Sequence, residues 1–204
     1  MNRCFPWFLV WFTAFVGSTA VGQETESDDG PGSRRATDRF TQQIEAASET
    51  SYVGIATDGV PVEGLYSIMP DEDVSNVELV RTAKAFLDAL TEEQRSRVMF
   101  PVDAPEWRQW SNMSAYHRNG LSFDEMTEGQ RDQAFQLMRT ALSAKGFKLS
   151  RDIMRLNETI AELTAEHDRY SEWLYWLTVM GEPSETEPWG WQVDGHHLVI
   201  NYFV

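Results

Sequence analysis

Residues 188–204 read PWGWQVDGHHLVINYFV, and this closing stretch decides the fold class. Apolar and polar residues alternate on both sides of Asp194-Gly195, the period of two that belongs to strands. Asp-Gly between two such runs is a strong hairpin signal, because a type I′ turn needs two residues that tolerate positive φ. With Asp194-Gly195 as the turn, Val193 comes opposite His196 and Gln192 opposite His197. One face then carries Trp189, Trp191, Val193, His196, Leu198 and Ile200; the other carries Gln192, His197, Val199 and Asn201. Just upstream, SEWLYWLTVMGEP (171–183) is dense in aromatic and β-branched residues and bounded by Gly181 and Pro183, which reads as a buried strand.

Ahead of these strands the period changes to that of helices. Ser75 with Glu78 has the spacing of a capping box, followed by Val80, Ala83, Phe86, Leu87 and Leu90 on one stripe. Thr91 with Gln94 repeats the cap, and that helix stops before Pro101. Thr127 with Gln130 opens a third helix, with Ala134, Leu137, Met138, Ala141 and Leu142 on one stripe and a stop at Gly146. A fourth is expected after Ser150, with Ile153, Leu156, Ile160 and Leu163 facing inward. Residues 87–95 and 123–131 share the frame apolar-Asp-x-apolar-Thr-Glu-x-Gln-Arg, read either as two well-capped helix starts or as an internal duplication. Helices first and antiparallel strands after give an α+β fold, an N-terminal helical layer packed on C-terminal antiparallel strands.

The beginning of the chain is an address. MNRCFPWFLVWFTAFVGSTAVG (1–22) places one Arg before an apolar run and small residues after it, the layout of a secretory signal peptide cleaved before Gln23. The run is shorter than the roughly 20 residues a spanning helix needs. Export to a secreted or periplasmic location is therefore expected, with the sole cysteine, Cys4, removed and no disulfide left. Residues 23–37 read as a flexible acidic leader, and 38–204 as a single α+β domain. Within it, a short helix at Phe40–Ala47 and strands near Tyr52–Ile55 and Leu65–Ile68 are weak signals. Over 204 residues the chain carries 17 basic and 32 acidic side chains, a net charge of −15. That balance argues against nucleic acid and against an anionic membrane surface, both of which call for clustered Lys and Arg. A small molecule or a partner in the cell envelope is the expected counterpart.

Several ordered blocks carry a family resemblance: FLDALTEEQRSRVMFP, Trp110, RNGLSFDEMTEGQR, ALSAKGF, IMRLNETI and the closing MGEPSETEPWGWQVDGHHLVIN. Together, from about Ala83 to Asn201, they resemble the domain-of-unknown-function 3500 family, found in secreted and other bacterial proteins. The resemblance implies a secreted globular domain and no assigned activity. It also implies further strands and helices beyond Val204, so the sequence reads as a member cut short at its C-terminus.

His196 and His197 are the sharpest chemical feature, since imidazole titrates near neutral pH and ligates metals. Under the Asp-Gly hairpin they point to opposite faces: His196 joins the apolar side, and His197 is the freer candidate base or ligand. No H-E-x-x-H or C-x-x-C spacing accompanies them, and no pattern specifies a metal or a cofactor. His117 and Arg118, in the loop Asn112–Gly120, could be presented to a ligand by flanking elements. Trp107, Trp110, Trp189 and Trp191 could stack on a sugar or another flat ligand, although such residues more often fill a core, while Gln192 and Asn201 share the face of His197 and could assist it. His167 belongs to an acidic surface. Two functions follow: a ligand- or partner-binding extracytoplasmic domain, or an extracytoplasmic hydrolase using His197 of the Gly-His-His block.

Overall fold

Local capping dictates much of the helical layer. Thr91 accepts from the Gln94 backbone N–H while the Gln94 side chain accepts from Thr91 N–H, opening α3 (Glu92–Val98). Thr127 and Gln130 do the same at the start of α4 (Glu128–Ala141). The two boxes also meet each other. The buried Gln130 amide donates to Gln94 Oε1 at 2.8 Å and to the Ala89 carbonyl at 2.9 Å, at the end of α2 (Val77–Asp88). The repeated frame thus places two helix starts side by side.

The computed structural model describes residues 31–49 and 75–204. The signal-like segment 1–22 with its cleavage point, and the strands expected near Tyr52–Ile55 and Leu65–Ile68, lie outside the described residues. Helix α1 runs Pro31–Ser48, so helix begins inside the stretch read as leader. Among the described residues no helix is long and apolar enough to cross a membrane.

After α3 the chain makes a short β1 (Met99–Phe100), a 3-10 turn at Pro105–Arg108, a long loop, and β2 (Leu121–Ser122). Then come α4, α5 (Ala144–Thr164), β3 (Tyr175–Met180), β4 (Gly190–Gly195) and β5 (Leu198–Phe203). The order β1-β3-β4-β5 makes one mixed sheet: β3, β4 and β5 are antiparallel, β1 runs parallel to β3, and β2 pairs with the same edge of β3. The fold is α+β. Phe86, Leu87, Leu137, Met138 and Met154 from the helices close over Tyr175, Leu177, Val179, Trp189, Trp191 and Val193 of the sheet.

Four local expectations give way. The Ser75–Glu78 box does not form; Asn76 is the N-cap without a side-chain bond, and Glu78 bonds Arg81 instead. Gly146 ends no helix. Ser143 caps α5 by accepting from Gly146 N–H, so Ser150 lies within the helix rather than before it. The inward face of α5 is Ser150, Met154, Asn157 and Ala161; Leu156 and Leu163 are exposed and Ile153 only packs at the edge. Finally, the β4–β5 turn is His196-His197, not Asp194-Gly195. The register pairs Gly195 with Leu198, Asp194 with Val199 and Val193 with Ile200. The shift is even, so Trp191, Val193, Leu198 and Ile200 still share the core face.

Candidate functional site

Arg118 organises the long loop that precedes β2. Its side chain is 2% exposed, and its guanidinium donates to the carbonyls of Ser111, Met113, Ser114 and Tyr116. A loop of residues 109–120 with no regular structure is thereby wrapped around one cation. Arg118 Nε lies 3.2 Å from Asp194 Oδ2, an ion contact not aligned as a hydrogen bond, and the group also sits over the Trp176 ring. Asp194 on β4 is as deeply buried. Burial pushes its carboxyl up to about 6, with Arg118 and the backbone at Ser111 and Gly195 offsetting only part.

The turn next to Asp194 is built around three residues. Gly195 leaves room for the Tyr175 ring, since a Cβ there would lie 2.1 Å from the ring edge. Tyr175 Oη then donates to the His196 carbonyl at 2.9 Å. His197 takes a left-handed φ of 60°, a conformation in which Asn, Asp and His are enriched among non-glycine residues. Its N–H reaches the Asn112 carbonyl, tying the turn to the Arg118 loop.

Between loop, turn and the end of α5 lies a cavity of about 470 Å³. His196, Asn157, Trp176, Tyr116, Arg118 and Arg169 form its walls, and Thr37 and Asp38 of α1 stand at its edge. His196 is oriented by a fixed partner. Asn157 Nδ2 donates to the Ser171 carbonyl at 2.8 Å, which turns Asn157 Oδ1 toward His196 Nδ1 at 2.9 Å. Nδ1 therefore carries the proton, and Nε2 is a free acceptor with no partner among the described residues. Burial, then the neighbouring His197, Arg118 and Arg169, lowers the imidazole to about 4, so it is neutral near pH 7.

The residues singled out from sequence divide sharply. Arg118, His117 and His196 come together at this cavity, with His117 Nε2 3.0 Å from Asp38 Oδ1. His197 is exposed on the turn and does not line it. The expectation that the two imidazoles point apart is corrected: their ring centroids are 3.9 Å apart, because both belong to one tight turn. Trp189 and Trp191 are fully buried, Trp191 stacked on Tyr202, so neither offers a face to a ligand. Gln192 bonds Asn201 Oδ1 and the Trp107 carbonyl, holding the 3-10 turn to the sheet away from the cavity. Trp110 is 42% exposed in a separate depression beside Ile44 and Ala47 of α1. Among the described residues no three His, Cys, Asp or Glu side chains cluster as metal ligands. His167 lies exposed at the surface, as expected.

Asp194, Asn157, Tyr116, Trp176 and Arg169 escaped the sequence reading. None left a clear signal: Asn157 is one of many polar residues on α5, and only the correct helix phase singles it out as inward.

A family model described as "Protein of unknown function (DUF3500)" matches residues 72–204. The chain belongs to that family. No curated protein and no solved structure matches it. The DUF3500 match runs from before α2 through β5, so it contains Arg118, Asn157, Asp194 and both histidines of the turn. Helix α1, with Thr37 and Asp38, lies outside the DUF3500 residues and adds one edge to a cavity the family region otherwise builds.

Proposed function

We propose that the protein is exported and binds a compact polar molecule in the cavity beside the β4–β5 turn. The ligand offers a hydroxyl or amine hydrogen to His196 Nε2. The observation that carries this reading is the oriented imidazole, a neutral acceptor with a fixed tautomer on the wall of a 470 Å³ cavity. Export is supported by the signal-like residues 1–22, and a small-molecule ligand, rather than nucleic acid or an anionic membrane surface, by the net charge of −15.

The hydrolase reading draws on the same imidazole, now His196 rather than His197, since an Asn-oriented histidine has the form of a general base. Its depressed basicity weighs against that role. A base near 4 takes a proton poorly at neutral pH, where efficient general bases sit near the working pH. An acceptor needs only its lone pair. Binding is favoured for that reason.

A thermal-shift screen of small polyols, sugars and amino acids tests the reading. Hits are expected to raise the Tm of the wild type and of His197→Ala, and to lose the shift in His196→Phe. A screen without hits, or hits indifferent to His196→Phe, would remove the cavity from consideration.

A further inference from the structure

Helix α1 is held to the domain differently from the other long helices. α2 and α4 bury Phe86, Leu137 and Met138 completely in the core. Of the described side chains of α1 only Thr41 and Ser48 are buried, Phe40 and Ile44 are half-buried, and none joins the core cluster. What attaches the helix is polar. The Arg108 guanidinium donates to the Ser48 carbonyl, Gln109 Nε2 to Ser48 Oγ at 3.0 Å, and His117 N–H to Thr41 Oγ1 at 3.4 Å. A fourth contact, Asp38 Oδ1 with His117 Nε2 at 3.0 Å, is largely exposed on both sides. Beside the 3-10 turn the packing is incomplete, leaving a depression of about 370 Å³ lined by Ile44, Ala47, Ser48, Arg108 and Trp110. Bonds of this kind exchange with bonds to water at small net gain, and an exposed pair adds little.

We infer that α1 is a movable wall of the cavity: it lifts away while the rest of the domain stays folded, and it closes on a bound ligand. The closure rests on the reading of the cavity as a binding site. Thr37 and Asp38 stand at the cavity edge, and His117, which holds both Asp38 and Thr41, lines the same cavity. Lifting α1 therefore removes one edge and releases a wall residue in a single step. The opposite wall stays in place, because Asn157, Trp176 and His196 are set on α5, β3 and the β4–β5 turn. A segment with few buried apolar contacts is the kind that opens at a fraction of the free energy of global unfolding.

Hydrogen exchange read by mass spectrometry on the natively processed chain, at urea concentrations below the unfolding midpoint, tests both parts. Amides of residues 37–48 should exchange at least about 100-fold faster than those of 134–141 in α4, yet more slowly than a free peptide. Their rates should hardly change with urea, whereas the α4 rates should climb as global unfolding is approached. Thr41→Ala should speed exchange in α1 by about 3- to 10-fold and leave α4 unchanged. A hit from the thermal-shift screen, added at about 100 times its Kd, should slow exchange in α1 by about 10- to 100-fold. Exchange in α1 that follows α4 in rate and urea dependence overturns the inference, as do free-peptide rates in α1 or a Thr41→Ala variant that exchanges like wild type. A hit that protects the segments around Asn157 and His196 but leaves α1 untouched defeats the closure while the binding reading stands. A screen without hits instead ends the binding reading and, with it, the closure.

Discussion

Replacing Arg118 by Met tests the electrostatic frame of the site, because methionine keeps much of the volume and removes the charge and all donors. Two losses follow, and they separate by pH. The first concerns Asp194. Its folded value of about 6 stands above the ordinary 3.8, so its contribution is most favourable below about 4 and is lost as pH rises through 6. Without Arg118 the value rises further, and at pH 7 the carboxyl protonates rather than remaining a bare buried charge. Protonation sets a ceiling on the damage. From a pKa near 6 to pH 7 is one unit, so the variant loses at most about 1.4 kcal/mol through this group. At pH 5 both proteins hold Asp194 neutral, and that loss vanishes. The second loss is the charged donor to four loop carbonyls; in a loop that water can re-enter it costs roughly 2 kcal/mol and has no pH dependence in this range. Urea unfolding should therefore give a deficit of about 3–4 kcal/mol at pH 7 and about 2 kcal/mol at pH 5. Relief of His196, which Arg118 holds down, acts in the same direction. A deficit equal at both pH values, or larger at pH 5, would refute a pair in which burial outweighs attraction.

Other expectations concern the turn. His196, held near 4 against an ordinary 6.5, makes the unfolded chain the better proton acceptor, so its contribution is present above 6.5 and lost as pH falls toward 4. His196→Gln should flatten that part of the Tm-against-pH curve, and curves that stay parallel to wild type would count against the assignment. At His197, φ of 60° predicts that His197→Gly is neutral or stabilising by up to about 1 kcal/mol, whereas the β-branched His197→Val destabilises by more than about 1 kcal/mol. Equal effects from the two, measured by urea midpoint, would argue that the turn is not left-handed there.

Which features were legible in sequence follows from how local they are. The boxes at Thr91–Gln94 and Thr127–Gln130 need only four consecutive residues, and both form. The stripes of α2 and α4 are core stripes because each carries the bulkiest residues toward the sheet. In α5 the same arithmetic finds the right period and the wrong phase. Leu156 and Leu163 are greasier than Ser150, Asn157 and Ala161, yet the latter face inward, since Ser150 and Asn157 satisfy their polar atoms within the fold. Hydrophobicity cannot rank a buried asparagine whose partners, Ser171 and His196, lie 14 and 39 positions away. That one error of phase hid the residue that orients His196 and made the exposed Leu156 and Leu163 look like core.

The hairpin shows the same conflict at closer range. Asp194-Gly195 has the better intrinsic turn chemistry, but both residues have employment elsewhere: Asp194 answers the buried Arg118, and Gly195 admits the Tyr175 ring. Moving the turn two residues on keeps every core residue on its face, so the cost is confined to one left-handed histidine. The gain is positional. With Gly195 under Tyr175, the His196 carbonyl is fixed by the Tyr175 hydroxyl and its ring by Asn157, while His197 ties the turn to Asn112. Each letter of Gly-His-His thus answers a separate geometric demand, and of the two histidines only His196 lines the cavity. That division explains why a pair of adjacent histidines, the most suggestive chemistry in the sequence, places only one ring on the cavity wall.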